Sequence, residues 1–277
     1  MSQTAIEQSS IVKTQMNFVR DQAGAGSFSN LNPELTTLKL ATHDVDIADA
    51  RALASPASFA KEGFEIHTLP FESYNWLDPE WVQSEYAGRT LDFVKQLVGA
   101  DHIACFHAGM FFRDSGASYG DLKTRYRGKA ADFVHMDYTR ESVMPFVREA
   151  VDAEILEKYP HVVIYNVWRS MTPPPQDVGL AFCDQRTLNP ADWVFGDTVE
   201  LNFPKGVPFL TSVYKPEQKW YYYSQMTQDE VVIFNGCDTN PHAPVGCIHG
   251  AFVNPDPGHV IAPRSSVEFR VIALFMD

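Results

Sequence analysis

HVVIYNVW (161–168) follows Tyr159-Pro160 and is a run of β-branched and aromatic residues with no helical spacing. From that point to the end the chain repeats the pattern. VGLAFCD (178–184), PFLTSVY (208–214), WYYYSQM (220–226), EVVIFN (230–235), CIHGAF (247–252) and SVEFRVIALF (266–275) are short strand-like runs, separated by turn-forming Pro, Gly, Asn and Asp. Seven such strands in about 115 residues predict a sandwich or jelly roll. Upstream, Asp78-Pro79-Glu80 reads as an N-cap, a Pro at the first helical position and an acidic first turn. Val82, Tyr86, Phe93, Val94 and Leu97 recur at near-helical spacing, with Gly99 able to close the end, so a helix is expected over about 79–98. A second helix is expected from an N-cap near Ser142, with Phe146, Val147, Ala150, Val151 and Ile155 as its apolar stripe. The expected fold class is therefore mainly β with flanking helices that cover one sheet from outside.

The whole chain of 277 residues reads as a single domain. Residues 1–30 form a polar N-terminal arm, either mobile or added as a strand to a sheet edge. Residues 31–129 are a helical and strand elaboration, and 130–277 the jelly-roll core. Apolar residues make up 45% and aromatics 13%, which excludes a disordered or fibrous chain. The net charge of −13, with no Lys/Arg run, argues against nucleic acid as a partner. No apolar stretch is long enough to span a bilayer, and MSQTAIEQSS has the features of no signal peptide. Cys105, Cys183, Cys237 and Cys247 are scattered, as expected for reduced thiols in a cytoplasmic protein. Oligomeric state is not legible.

The chemistry concentrates in Phe133-Val134-His135-Met136-Asp137. Side chains two apart on a strand point the same way, so His135 and Asp137 can hold one metal together. Two imidazoles and one carboxylate form a facial triad that suits Fe(II) and leaves positions open. His249, on a short half-apolar strand, is the expected third ligand. His242 competes but lies in the Pro-rich Asn240–Pro244 stretch. His102 and His107 have no suitably spaced carboxylate and read as structural. Arg264 and Ser266 share one face of the last strand, where a guanidinium and a hydroxyl can bind a carboxylate. Glu268 and Arg270 continue that face, which points either to solvent or into the mouth of a jelly roll.

The order His135-x-Asp137, His249, Arg264-x-Ser266 is that of iron(II)/2-oxoglutarate oxygenases. With it stand Asn166-Val167-Trp168-Arg169, Leu180-Ala181-Phe182-Cys183-Asp184, Trp220-Tyr221-Tyr222 and Arg264-Ser265-Ser266-Val267-Glu268-Phe269-Arg270. Together these resemble the fungal asaB-type hydroxylase/desaturase family, from about residue 130 to the end and faintly before 100. Ser170-Met171 and Asn235 depart from the family pattern.

The resemblance implies a double-stranded β-helix oxygenase. Its cofactors would be Fe(II), 2-oxoglutarate and O2, with ascorbate as reductant in vitro. His135, Asp137 and His249 would be the metal ligands and catalytic centre, and Arg264, Ser266 and Asn166 would bind the cofactor. Arg169, Trp168 and Arg270 would contact a small-molecule substrate of specialised metabolism, with a carboxylate or amino acid among the candidates, to be hydroxylated, desaturated or cyclised. Apart from the resemblance, Trp220–Tyr223 reads mostly as core and cross-strand packing, from which one Tyr hydroxyl can reach the cavity without the sequence choosing which. Two other classes stay open: a metal-dependent hydrolase on the same ligands, and a non-catalytic helper protein.

Overall fold

The computed structural model describes residues 11–117, 127–200, 203–258, 260 and 262–276. Residues 1–10 of the expected arm lie outside the described residues. Its remainder takes the strand alternative. Strand β1 (Ile11–Val19) runs antiparallel to β3 (Leu40–Asp49) at a sheet edge, and β2 (Gly26–Phe28) pairs elsewhere.

The remaining strands are β4 (Phe64–Thr68), β5 (His102–Asp114), β6 (Arg127–Gly128), β7 (His161–Ser170), β8 (Val178–Cys183), β9 (Trp193–Glu200), β10 (Phe203–Ser212), β11 (Trp220–Tyr222), β12 (Glu230–Asp238), β13 (His249–Val253) and β14 (Ser265–Phe275). They form a six-stranded sheet in the order β4-β12-β7-β14-β5-β6, a five-stranded sheet β1-β3-β11-β8-β13, and a three-stranded sheet β10-β9-β2. Strands β3, β4 and β5 lie inside the same sheets as the later strands, so the packing has no seam at residue 130. The WYYYSQM run is strand only over Trp220–Tyr222, and Gln225 turns the chain with a positive φ of 50°.

The two larger sheets face each other, because their inner side chains share one core. Ile47 of β3, Ala181 and Cys183 of β8 and Trp220 of β11 pack with Ile164 of β7 and Ile272 and Leu274 of β14. Alternation then decides which residues reach the interior. On β7, Val162, Ile164 and Trp168 point inward, whereas Val163, Tyr165 and Val167 pack on the outer face. On β14, Val267, Phe269, Val271 and Ala273 are outer, so Ser266, Glu268 and Arg270 face the interior. Segment 133–136 closes the gap between β1, β13 and β10. It does so through Val134 N–H to Asn17 O (3.0 Å) and two isolated bridges, His135 with His249 and Met136 with Leu210.

The predicted helix over 79–98 is continuous but graded. It runs as α1 (Pro79–Trp81), a π turn over Val82–Tyr86, and α2 (Ala87–Val98), capped by Gly99 at φ 67°. Tyr86, Ala87 and Val94 pack it on the outer face of the six-stranded sheet. The next helix, α3 (Arg140–Ala150), is capped by Thr139 rather than Ser142. Ser142 is instead the third residue of a reciprocal capping box, with Ser142 N–H donating to Thr139 Oγ1 (3.0 Å) and Thr139 N–H to Ser142 Oγ (2.8 Å). A short helix, α4 (Ala153–Lys158), follows. All four cysteines are free, and no helix among the described residues is long and apolar enough to cross a membrane.

Candidate active site

His135 and His249 are brought together by backbone pairing. Each N–H donates to the other's carbonyl, at 2.9 and 3.0 Å, which places both side chains on the same side with ring centroids 4.6 Å apart. Asp137, two residues on, shares that side, and its Oδ1 is 3.9 Å from His135 Nε2. One donor atom from each of His135, Asp137 and His249 lies within 4.8 Å of the others.

The surrounding atoms prepare these groups to bind a cation. His135 Nδ1 donates to Phe133 O (2.9 Å) and His249 Nδ1 to Cys247 O (3.1 Å). A carbonyl can only accept, so Nδ1 carries the proton in both rings and each Nε2 presents a lone pair. Burial lowers both imidazoles, His135 to about 4, so they stay neutral. Burial pushes the Asp137 carboxyl up, but the Arg270 guanidinium, helped by the Asn166 hydrogen bond, outweighs it and holds it down at about 2. Asp137 is gripped from both sides, with Arg270 Nη2 on Oδ1 (2.6 Å) and Asn166 Nδ2 on Oδ2 (2.7 Å). Arg270 and Asn166 are register partners on β14 and β7, so one cross-strand pair orients the carboxylate.

A cavity of about 1350 Å³, counting its open mouth, contains this cluster and is also lined by Trp168, Arg264 and Ser266. The Arg264 side chain is buried, and none of its three guanidinium nitrogens has a hydrogen-bond partner among the described residues. Its Cζ lies 5.6 Å from the Trp168 ring, and burial lowers its pKa to about 10. Asp177 and Asp114 act on it through space, but a buried guanidinium with no hydrogen-bond partner is still costly, so the position fits one end of an anionic ligand.

Three of the predicted site residues take other places. Arg169 lies on the outer face of β7, with its neighbours Val163, Tyr165 and Val167. It donates to Leu69 O (2.8 Å), Gln228 O and Tyr74 Oη (3.1 Å), and packs against Phe71 and Tyr86. The strand does not bulge there, so Arg169 cannot line the cavity beside Trp168. Arg270 does line the cavity, but its donors go to Asp137, Glu268 (2.9 Å) and Tyr138 Oη (2.5 Å). Asn166 contacts the Asp137 carboxylate and is absent from the cavity lining. His242 lies away from the cluster, at the rim of a second cavity.

Sequence reading missed Tyr138, Arg113, Glu200 and the six phenylalanines of the wall. Tyr138 follows Asp137 directly and could have been found from that adjacency. Glu200 gives no local signal, because its partners Ser29, Asn30, Leu31 and Asn32 are remote in sequence.

Residues 16–274 match the family described as an oxidoreductase/YMDC permease-like domain. The chain belongs to that family. Among curated relatives of this oxidoreductase/YMDC permease-like chain is the hydroxylase/desaturase efuI of Hormonema carpetanum, 28% identical, with 99% of this chain and 98% of efuI covered. Another is the Fe(II)/2-oxoglutarate-dependent dioxygenase nvfI of Aspergillus novofumigatus, 26% identical over 83% of this chain and 82% of nvfI. The hydroxylase/desaturase asaB of Aspergillus flavus is 29% identical over 50% of this chain and 66% of asaB. The expected asaB-type kinship is thus present, and through efuI it extends well before residue 100. A solved structure of the iron and alpha-ketoglutarate-dependent endoperoxidase NvfI superimposes with a TM-score of 0.80. It is 24% identical, and 96% of this chain and 98% of that one are covered, which establishes the jelly-roll fold.

Proposed function

We propose that this chain is a non-haem Fe(II)- and 2-oxoglutarate-dependent dioxygenase of the hydroxylase/desaturase type, acting on a small molecule of specialised metabolism. The carrying observation is that a neutral His–Asp–neutral His cluster shares one cavity with a buried guanidinium that has no partner among the described residues. A metal hydrolase would need the cluster but not that guanidinium. A helper protein would need neither. The activities named for nvfI and efuI support the same reading.

In this reading His135, Asp137 and His249 hold the iron through two Nε2 atoms and a carboxylate oxygen. When bound, iron with 2-oxoglutarate and O2 supplies the oxidising power for an unactivated C–H bond. The protein's work is positional. Arg264 receives the distal carboxylate of 2-oxoglutarate, aided by the Ser266 hydroxyl, and Trp168 floors the guanidinium. Asn166 and Arg270 fix the Asp137 carboxylate so that its orientation survives ligand exchange. The aromatic walls exclude water and aim the substrate carbon. Hydroxylation, desaturation and ring closure are all compatible with this frame. Four free thiols and a strongly acidic chain fit a cytoplasmic setting.

The test is anaerobic titration of the Fe(II)-loaded protein with 2-oxoglutarate, followed by admission of oxygen. The expected result is a visible metal-to-ligand charge-transfer band, then succinate. Asp137→Ala should lose both while keeping the far-ultraviolet circular dichroism of the wild type. Absence of the band together with absence of calorimetric 2-oxoglutarate binding would overturn the proposal in favour of the hydrolase.

A further inference from the structure

The cavity's own charges speak to the substrate. Asp137, Glu200 and Glu268 line it, and so do Arg113, Arg264 and Arg270. Among the described residues three carboxyl groups therefore meet three guanidiniums and the two histidines are neutral; burial pushes the Glu268 carboxyl up, and the adjoining Arg270 guanidinium, 2.9 Å away, works against that. Loading adds a divalent cation and a dianionic 2-oxoglutarate, which cancel. With those groups ionised, the described lining of the filled cavity has no net positive charge left for another anion. Nor are the arginines idle. Arg270 is divided among Asp137, Glu268 and Tyr138. Arg113 donates to Phe112 O at 2.9 Å, and Arg264 faces the co-substrate.

The far wall points the same way. Glu200 is buried and accepts from Ser29 Oγ (2.8 Å), Asn30 N–H (3.0 Å), Leu31 N–H (3.3 Å) and Asn32 Nδ2 (2.9 Å). Those four bonds lock the Glu200 carboxyl group into the wall through uncharged donors. The same cavity is lined by Phe28, Phe106, Phe111, Phe133, Phe146 and Phe209. Phe28 packs edge-on against Phe133 at 5.1 Å between centroids, and Phe133–Phe209 (5.8 Å) and Phe106–Phe146 (5.5 Å) pack tilted, which stiffens the surface.

We propose that this cavity selects an uncharged, largely apolar substrate and discriminates against carboxylates and amino acids, because the charged groups among its described residues are paired or committed to the co-substrate and six phenylalanines dominate the rest of that lining. This rests on the oxygenase reading and narrows its substrate class away from the small acid that the sequence left open. A substrate carboxylate would enter a weakly solvated site already holding Glu200 and Glu268, at a cost set by desolvation and like-charge repulsion.

The experiment uses a matched pair of probes, 2-naphthalenemethanol and 2-naphthoate. The full-length protein is first loaded anaerobically with Fe(II) and 2-oxoglutarate, and loading is read from the charge-transfer band. Failure at that step defeats the oxygenase reading itself, and the substrate proposal falls with it. Each probe is then titrated by calorimetry at pH 7.5. The alcohol is expected to bind at least tenfold more tightly than the carboxylate. Val207→Lys adds a cation to the half-buried wall and should narrow that ratio at least fivefold while leaving 2-oxoglutarate affinity unchanged. Thr198→Lys tests the same point from β9 should the first variant fold poorly. Equal or tighter binding of 2-naphthoate would overturn the proposal. So would a ratio unmoved by either lysine, or failure of the alcohol to bind at millimolar concentration.

Discussion

Arg264 shows how a single residue can be costly to the fold and necessary to the site. Its guanidinium is buried without a hydrogen-bond partner among the described residues, and the Trp168 ring at 5.6 Å compensates only in part. Replacing a buried charge that has no hydrogen-bond partner with an apolar side chain of similar length commonly stabilises a protein, even where carboxylates such as Asp177 and Asp114 act on it through space. Arg264→Met is therefore expected to stabilise the ligand-free protein by about 1–3 kcal/mol, measured by urea denaturation. The same change should weaken 2-oxoglutarate by about 30-fold or more, because the ligand's carboxylate then loses its buried partner. Opposite signs for stability and affinity are the mark of a group kept for binding. A variant that loses stability and keeps its affinity would assign Arg264 to the scaffold.

The site depends equally on how whole strands are set beside one another. Asn166 on β7 reaches Asp137 only because β12 leaves it room. At Gly236, within a bulge of β12 between Asn235 and Cys237, a Cβ would lie 2.4 Å from Asn166 Oδ1. Gly236→Ala should push Asn166 away from the Asp137 carboxylate without touching any metal ligand. Outer partners of this kind are worth about 10-fold or more in metal affinity. A loss of that order in Fe(II) or Co(II) binding is expected, with 2-oxoglutarate affinity following the metal. Unchanged metal binding would mean that Arg270 alone holds the carboxylate.

This dependence also explains what the sequence could and could not disclose. Strands β7, β12 and β14 were legible because they are buried on both faces and read as dense apolar runs. Edge strand β1 and its partner β3 have half-solvated patterns, and IVKTQMNFV and LATHDVDIAD hide their strand character among polar residues. The same alternation that placed Ser266 and Arg270 on one face put Arg169 on the face opposite Trp168. Arg169 could join Trp168 only at a bulge of β7, which local sequence does not encode and the pairing with β14 does not contain. The pairing of His135 with His249 is a contact between distant segments, so spacing could nominate both residues but could not bring them together.

At the scale of the whole molecule, the sandwich keeps water from a cluster of titratable groups, and stability must then follow pH. In the unfolded chain His135 binds a proton near its ordinary pKa of 6.5, whereas burial in the fold lowers it to about 4 and lowers His249 in the same direction. Between those values the unfolded chain holds more protons than the folded one, so stability falls as pH falls. The stabilisation is complete above about 6.5 and is lost progressively toward 4. Asp137 adds a second, more acidic loss. Its carboxyl drops from 3.8 to about 2 on folding, so its contribution is present above 3.8 and disappears below that. For His135 alone the full excursion is about 3 kcal/mol, at about 1.4 kcal/mol per pKa unit. Metal-free protein followed by urea denaturation from pH 7.5 to 4.5 should therefore lose stability throughout the lower part of that range. His135→Gln removes one titrating group from the buried cluster and should flatten the profile without abolishing it, since His249 remains. A wild-type stability independent of pH across this window would mean that the cluster admits solvent freely. An unchanged slope in His135→Gln would place the titration elsewhere in the molecule.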